Sequence, residues 1–190
     1  MTAIYLIRHG QASFGKAEYD CLSAMGQTAI EPQVDAAWNE YDHQDILAQF
    51  NSELATAQGV KTYMSKQDNP HKSLEKVISQ AFSRWISSQH NDDYIESWPD
   101  YQHRIQTALA NLISGLDGEK RVAVFSSGGP IALLSQAILG VPAENLMTLN
   151  WTLVNCGITK LISTQKGIIL SSLNEHSTFE GNNKHLLTYK

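Results

Sequence analysis

The stretch Thr2–Ile7, TAIYLI, followed directly by Arg8-His9-Gly10, decides the fold class of this chain. A short apolar run that is rich in β-branched residues and ends at a polar break with glycine predicts a buried strand followed by a turn. A second segment repeats this design, because Arg121–Phe125, RVAVF, leads into Ser126-Ser127-Gly128-Gly129-Pro130. The sequence therefore predicts two buried strands, each with chemically active residue types at its carboxyl end.

Amphipathic helices are predicted around these two strands. The clearest one follows Asn69-Pro70, a capping residue and a proline at the first helical position, and its apolar residues recur from Leu74 to Ile86 at the spacing of one helix face. Strands that alternate with such helices are typical of the α/β class, so we expect one domain over residues 1–190, built as a three-layer α/β/α sandwich with a mainly parallel sheet. The other predicted elements are helices over Gln44–Ala57 and Ile131–Leu139, helices that begin at Ser23 and Ser97, strands over Gly157–Ile162 and Ile168–Leu173, and an edge strand over Leu186–Tyr189.

The composition excludes several classes of protein. The residues are 42% hydrophobic and 17% charged, and 19 acids against 14 bases give a formal net charge of -5, which disfavours a nucleic-acid-binding face. No apolar run approaches the roughly 20 residues that a membrane helix needs, and no secretion signal is recognised. The two cysteines, Cys21 and Cys156, have no metal-binding or disulfide spacing. We therefore expect a cytoplasmic protein with no nucleic-acid or membrane partner and no metal or other cofactor.

The two strand ends have the chemistry of a phosphate site. In open α/β sheets, ligands bind beyond the carboxyl ends of the strands, and a glycine turn that leads into a helix offers backbone N–H groups to an anion. Arg8 adds a fixed positive charge, and a neutral His9 imidazole is a nucleophile. The residues thus indicate a phosphate ester as ligand and phosphoryl transfer as reaction. They equally allow His9 to cap the strand and Arg8 to form a surface ion pair.

Longer stretches around these residues resemble one family. They are Leu6–Gln11 with Tyr19–Ser23 and Gly26, Trp38–Asp42, Val122–Ile131, and a closing stretch from Asn174–His176 to Leu187–Tyr189. Because their order along the chain is specific, the chain is identified as resembling the histidine phosphatase superfamily, the phosphoglycerate-mutase-like proteins. The resemblance covers most of the chain and implies a phosphoglycerate mutase-like fold.

The resemblance implies a role for each residue of the site. His9 matches the histidine that becomes phosphorylated, Arg8 the arginine that binds the phosphoryl oxygens, and Glu40 the acid that protonates the leaving group. Glu40 has an alternative as a solvated acid at a helix start. The substrate-binding residues are then Arg8, Gly10, Gln11, Ser127 and Gly128. A metal site of Glu40, Asp42, His43 and Asp45 is disfavoured, because these residues are too close in sequence to converge on one ion.

The sequence departs from the family pattern at two places. The family's glycine turn normally begins Ser-His-Gly-Gly, so Ser127 replaces the second active-site histidine and brings no positive charge. The family also has a further strand and an Arg-x-x-Gln-Thr-Ala segment, of which only Gln27-Thr28-Ala29 remains, without the arginine. Arg104–Ala108, RIQTA, is similar to that segment but lies in a predicted helix far downstream, which we interpret as coincidence. The chain is therefore expected to lack one strand-helix unit.

These departures bound the expected activity. Removing one preorganised donor commonly costs about 10²–10³ in rate, so the loss of an arginine and a histidine predicts weak activity. We expect slow hydrolysis of small phosphate monoesters through a phosphohistidine at His9. The alternative is a catalytically degenerate member that binds phosphate or another anion, as an oligomeric structural or regulatory protein. A lost strand-helix unit also exposes apolar sheet surface, which predicts a homodimer.

Overall fold

A four-stranded sheet lies at the centre of the molecule. The computed structural model describes residues 1–10 and 33–188. The strands are β1, Thr2–Arg8; β2, Arg121–Ser126; β3, Ile158–Thr164; and β4, Gly167–Glu175. Their order across the sheet is β2-β1-β3-β4. β1 runs parallel to β2 and antiparallel to β3, and β3 runs antiparallel to β4.

The α/β class is confirmed, but the expectation of a mainly parallel sheet is wrong. The sheet is mixed, because only the pairing of β1 with β2 is parallel among the described strands. β3 and β4 form a hairpin across a short turn at Gln165-Lys166, and a connection this short permits only antiparallel pairing. The helix predicted from Ser23 and the Gln27-Thr28-Ala29 segment lie outside the described residues.

Six α-helices accompany the sheet in the described ranges. They are α1, His43–Phe50; α2, Ala57–Ser65; α3, Pro70–Ile86; α4, Trp98–Ser114; α5, Gly128–Leu139; and α6, Leu146–Thr152. Local caps set the starts of the two longest ones, since Asn69 accepts the Lys72 N–H at α3 and Ser97 accepts the Asp100 N–H at α4. None of these helices of the described ranges is long and apolar enough to cross a membrane.

The helix predicted over Gln44–Ala57 is broken in the structure. α1 ends at Phe50, and the Asn51 side chain then caps a 3₁₀ turn by accepting the Glu53 N–H. Thr56 caps the start of α2 in the same way. Short polar side chains that bind nearby backbone N–H groups compete with continuous helix, so these two caps divide one apolar pattern into two helices.

The edge strand predicted over Leu186–Tyr189 does not form in its described part. Leu186 ends a 3₁₀ helix instead. The carbonyl of Thr188 accepts the Asn155 N–H at 3.1 Å, which ties this part of the chain to the loop before β3. Tyr189 lies outside the described residues.

The core lies on one face of the sheet. Ile4 and Leu6 of β1 are fully buried there and pack with side chains from the helices. An aromatic cluster extends this core, with ring centroids between 5.0 and 6.0 Å apart and mostly edge-to-face or tilted geometry. Its members are Tyr41, Phe82, Trp85, Trp98 and Tyr101. Because such buried rings are rigid and densely packed, they fix the backbone of the residues that carry them.

The opposite face of the sheet carries exposed apolar side chains. Phe125 of β2 is 65% exposed, Ile169 of β4 is 54% exposed, and Ile158 of β3 also reaches the surface. They alternate with less exposed residues of the same strands, and the core cluster contains none of them. β2 also forms an edge of the sheet that the described strands make. The described part of the chain thus presents an apolar surface that ends at a strand edge.

Candidate active site

The two predicted strand ends lie side by side. Since β1 and β2 are parallel neighbours, Arg8 is in register with Ser126. The His9 N–H continues the ladder by donating to the Ser126 carbonyl at 2.9 Å. The Arg8-His9-Gly10 segment and the glycine turn therefore begin from the same edge of the sheet. Gln11, the next predicted substrate contact, lies outside the described residues.

The His9 ring has a defined orientation. Its Nδ1 atom lies 2.7 Å from the carbonyl oxygen of Gly10, and the residue is partly exposed. A carbonyl oxygen can only accept a hydrogen bond, so this contact places the ring proton of a neutral imidazole on Nδ1. The lone pair of the neutral ring then lies on Nε2. The geometry thus provides one nucleophilic nitrogen on a side chain that solvent can reach.

Arg8 is held beneath the glycine turn. The residue is 3% exposed, and its Nη1 donates to the carbonyl of Leu153. Its backbone is fixed as well, because its N–H donates to Gly157 at 3.1 Å and its carbonyl accepts the Cys156 N–H at 3.0 Å. A Cβ atom added to Gly128 would lie 3.6 Å from Arg8 Nε. The guanidinium is therefore a buried positive charge next to the turn, and not an exposed side chain at the surface.

The glycine turn is the first turn of α5. The helix predicted from Ile131 begins earlier, at Gly128, with Ser127 as its N-cap residue. Ser127 makes no side-chain capping hydrogen bond, and Gly128 and Gly129 are buried. Backbone N–H groups at the start of a helix have no partner within it and lie at the positive end of the helix dipole. This position suits an anion.

Glycine suits this turn because side chains from elsewhere approach the backbone closely. A Cβ atom on Gly128 would lie 2.4 Å from Oδ1 of Asn150. A Cβ atom on Gly129 would lie 1.9 Å from Oε1 of Glu40. Both distances are shorter than any ordinary contact to carbon, so either side chain would have to move. Asn150 and Glu40 thus line the turn.

Glu40 is one of the predicted residues that the fold brings to this turn. Its Oε2 accepts the Gly129 N–H at 3.1 Å, and its Oε1 accepts the Tyr41 N–H at 3.3 Å. The residue is half-buried. It is not the solvated acid at a helix start, because Asp42 caps α1 and α1 begins at His43. Glu40 instead contacts the positive end of α5.

Two tyrosines form a polar layer next to Glu40. Burial raises the pKa of Tyr41 and of Tyr101 well above the ordinary value, and the Glu40 carboxylate raises both further. The Tyr41 hydroxyl accepts a hydrogen bond from Nδ2 of Asn150 at 3.0 Å. Both tyrosines therefore stay protonated and uncharged wherever the protein is folded at ordinary pH.

This polar layer was not predicted from the sequence. Tyr41 and Tyr101 belong to the aromatic cluster of the core, and their residue type alone does not indicate a polar site. Asn150 gives a usable sequence signal for a polar site, because its side-chain amide lies in the mostly apolar run Leu146–Leu153. A buried polar residue at such a position needs hydrogen-bond partners, which predicts a polar site nearby. Which partners it finds depends on the tertiary fold.

The acidic residues around Glu40 have separate partners. Asp42 accepts the Gln44 and Asp45 N–H groups, while Asp45 accepts the Ile95 N–H at 2.7 Å. No group of three or more His, Cys, Asp or Glu side chains within residues 1–10 and 33–188 is arranged to hold a metal ion. The carboxylates of this segment serve as caps and loop anchors.

A cavity of about 370 Å³ lies elsewhere, in the segment that follows β4. It is lined by His176, Phe179, Glu180, Gly181, Lys184 and Leu187. Arg8, His9 and Glu40 do not line it. The candidate active site is therefore defined by the two strand ends and the start of α5.

Comparison with known proteins shows the family. A sequence model of the histidine phosphatase superfamily (branch 1) matches residues 22–176, and the chain belongs to this superfamily. The matched residues include Glu40 and the glycine turn but begin after Arg8-His9-Gly10. No curated protein matches the sequence.

A solved structure supports the same fold. The YhfR protein of Bacillus stearothermophilus is 14% identical, with a TM-score of 0.53 over 95% of this chain and 100% of that one. A variant phosphoserine phosphatase of Entamoeba histolytica in complex with phosphoserine is 17% identical, with a TM-score of 0.49 over 92% of this chain and 98% of that one. At these identities the similarity to YhfR establishes the phosphoglycerate mutase-like fold and nothing finer.

Proposed function

We propose that this protein hydrolyses small phosphate monoesters slowly, through a phosphohistidine at His9. The observation that carries the proposal is the adjacency of the two strand ends, where the His9 N–H donates to Ser126 at 2.9 Å. That adjacency supports the proposal, because His9, the buried Arg8 and the start of α5 lie next to one another. Membership of the histidine phosphatase superfamily supports the same reaction class. Phosphoryl transfer needs mainly positive charge and positioning, which these groups supply.

The first step forms the phosphohistidine. Nε2 of His9 attacks phosphorus, and the bond from phosphorus to the ester oxygen breaks. Arg8 and the N–H of Gly128 hold the phosphoryl oxygens as their charge rises. The leaving alkoxide takes the proton of the Glu40 carboxyl and departs as the alcohol.

The second step regenerates the enzyme. A water molecule attacks phosphorus and the phosphorus–nitrogen bond to His9 breaks. The Glu40 carboxylate takes a proton from that water, so inorganic phosphate leaves and the carboxyl is restored. Ser127 can donate one hydrogen bond to the phosphate but adds no charge, which is why the turnover we propose is slow.

Leaving groups of different quality test these roles. We expect para-nitrophenyl phosphate, whose leaving group needs little protonation, to be hydrolysed faster than methyl phosphate. His9→Ala abolishes both activities. Glu40→Gln lowers the rate on methyl phosphate by about 10²-fold or more and affects the aryl ester far less. His43→Ala is the matched control, because His43 is an exposed histidine at the start of α1 and should leave both rates unchanged. Equal rates for the parent protein and His9→Ala would remove the enzyme proposal.

A second candidate is phosphate binding without turnover. It is favoured by the position of Glu40, whose carboxylate already accepts the Gly129 N–H where a phosphate would otherwise bind. An ionised carboxylate there also repels a phosphate dianion. Calorimetric binding of inorganic phosphate to the parent protein and to His9→Ala with equal affinity, with no hydrolysis by either, would select this candidate.

Association of two copies is part of the proposal. Lys120 and Ser126 direct their carbonyls toward β1, so the alternate residues Arg121, Ala123 and Phe125 direct their backbone groups away from it. Antiparallel self-pairing centred on Ala123 would place each Arg121 beside the Phe125 ring of the second copy, a favourable cation–π arrangement. The exposed apolar face beside this edge supports such a homodimer.

We propose that this reaction takes place in the cytoplasm. The thiol of Cys156 is exposed, and a reducing compartment keeps such a thiol in its reduced form. The partner proposed for the site is a small phosphorylated molecule or free phosphate, because the charges available there suit one phosphoryl group.

A further inference from the structure

The guanidinium of Arg104, in α4, contacts a carboxylate, two backbone carbonyls and an aromatic ring. Its Nε and Nη2 donate to the two carboxylate oxygens of Glu96 at 2.6 and 2.8 Å. Its Nη1 donates to the backbone carbonyls of Ala37 and Asn39, both at 2.9 Å. Its guanidinium carbon also lies 5.1 Å from the centroid of the Tyr101 ring. One partly buried side chain therefore joins a helix, a carboxylate, an aromatic ring and a loop.

The loop is the one that leads to Glu40. The carbonyl of Trp38, between the two that Arg104 binds, accepts the Ser126 hydroxyl at 2.7 Å. Three consecutive carbonyls are thus held from two sides, by Arg104 and by the end of β2. Glu40 follows directly and reaches the Gly129 N–H.

The chemistry of arginine explains why this position suits it. The planar guanidinium offers donors in fixed directions, so it can bind a carboxylate bidentately and still reach backbone carbonyls with its remaining N–H groups. Glu96 supplies the compensating charge, and its hydrogen bond raises the pKa of Arg104. A lysine has a single ammonium and cannot hold both partners in the same geometry.

We propose that Arg104 is a positioning residue, which fixes the Ala37–Asn39 carbonyls and thereby places the Glu40 carboxyl at the start of α5 for proton transfer. The catalytic consequence rests on the proposed role of Glu40 as the acid. Arg104 itself does not touch the reacting phosphoryl group in this account. Arg104–Ala108 is similar in sequence to the family's arginine segment, but the role proposed here for Arg104 is to position a loop and not to bind phosphate.

Arg84 of α3 is a matched control. It donates to the Asp93 carboxylate at 2.5 Å and lies 5.4 Å from the Tyr94 ring centroid, with a side-chain exposure of 23% against 24% for Arg104. Within the described residues, the Arg84 side chain donates to Asp93 and to the Tyr94 hydroxyl and does not reach the carbonyls before Glu40. Arg104→Gln and Arg84→Gln therefore each remove an ion pair with a carboxylate and a contact with a tyrosine ring, but only the first releases the loop.

Two leaving groups separate positioning from general stability. In Arg104→Gln we expect kcat on methyl phosphate to fall about 10-fold to 100-fold, since small misplacement of a catalytic group has effects of this size. The rate on para-nitrophenyl phosphate should change little, because that leaving group needs little protonation. Arg104→Lys should recover part of the loss, and Arg84→Gln should leave the ratio of the two rates unchanged. Arg104→Gln in a Glu40→Gln background should change the ratio no further.

Hydrogen exchange tests the placement without turnover. The peptide covering residues 36–41 should exchange about tenfold faster or more in Arg104→Gln than in Arg84→Gln. Unchanged exchange in Arg104→Gln would overturn the proposal. It would also be overturned if Glu40→Gln lowers the rate ratio and Arg104→Gln does not. If Glu40→Gln leaves the ratio unchanged, the acid role of Glu40 fails, and the exchange measurement alone then decides whether Arg104 places the loop.

Discussion

The backbone N–H of Gly129 donates a hydrogen bond to the Glu40 carboxylate across 89 positions of sequence, at 3.1 Å. This contact joins the loop before α1 to the start of α5. The candidate acid and the candidate anion site therefore share one helix end. Anything that moves either residue should change both the binding of phosphate and the protonation of a leaving group.

Substitution of Gly129 tests this shared position. A Cβ atom there would lie 1.9 Å from Glu40 Oε1 and 2.6 Å from the Tyr41 ring, so Gly129→Ala must displace a packed side chain. We expect a loss of about 1–3 kcal/mol in the free energy of unfolding, measured by urea denaturation, together with weaker phosphate binding.

Gly10→Ala is the control for that measurement. Its added Cβ would meet Cys156 Sγ at 3.7 Å, an ordinary contact. Its effect on the free energy of unfolding should therefore be small. A Gly129→Ala protein as stable as the parent would show that Glu40 does not pack against the turn.

The buried tyrosines predict a loss of stability in alkali. Burial raises the pKa of Tyr101 in the folded protein, so between the unfolded value, about 10, and the folded value the native state binds more protons than the unfolded state. The stabilising contribution is complete below that unfolded pKa and is lost as the pH rises toward the folded one. The slope is up to about 1.4 kcal/mol per pH unit for one such group.

Tyr101→Phe should flatten this dependence. The Tyr101 hydroxyl makes no hydrogen bond to the described residues, so its removal should cost little stability at neutral pH. Urea denaturation between pH 8 and about 11 compares it with Tyr63→Phe, a partly exposed tyrosine of α2. Identical pH dependence in the two variants would contradict the burial of this hydroxyl.

A histidine at position 127 should increase turnover. Ser127→His adds a side chain that can carry positive charge at the start of α5, next to the proposed phosphate. The gain should stay below the roughly 10²-fold that one preorganised donor provides, because the surrounding residues were not shaped around it. Ser171→His, on an exposed position of β4, is the control for steady-state rates. No gain over that control would place position 127 away from the reacting group.

Phe125 should contribute to association. Its ring is 65% exposed beside the β2 edge, so Phe125→Lys should shift a dimer toward the monomer at micromolar concentration in sedimentation velocity. Ile95→Lys is the control, because Ile95 is 83% exposed and lies outside the sheet. A parent protein that sediments as a monomer would contradict the homodimer.

Much of this fold can be predicted from hydrophobic periodicity and from helix-capping residues in the sequence. α3 and α4 are predictable because Asn69 and Ser97 mark their starts and long apolar faces follow. β1 and β2 are predictable as short buried runs. The direction of β3 is not predictable, because the hydrophobic pattern of a strand does not indicate whether it runs parallel or antiparallel to β1. The pairing of β3 with β4 is antiparallel because the turn between them is too short for a parallel crossover.

The site was predictable in part. One predicted strand is followed by Arg8-His9 and the other by a glycine turn. These two features are enough to predict an anion site where the ends of parallel strands meet. The contacts of Glu40 with Gly129, and of Arg104 with the loop before Glu40, depend on tertiary packing that joins distant segments. Arg104 was recognised as a motif but interpreted as coincidence, since sequence spacing alone cannot show which carbonyls a long side chain reaches.

Detection of the covalent intermediate tests the central claim most directly. The parent protein is incubated with para-nitrophenyl phosphate, quenched in alkali and measured by intact mass, with His9→Ala treated alongside. We predict one added phosphoryl group that acid treatment removes, that maps to His9 and that His9→Ala lacks, because a phosphorus–nitrogen bond is labile in acid. Continued hydrolysis with no such adduct, or with an adduct that survives acid or maps to another residue, would contradict the phosphohistidine account.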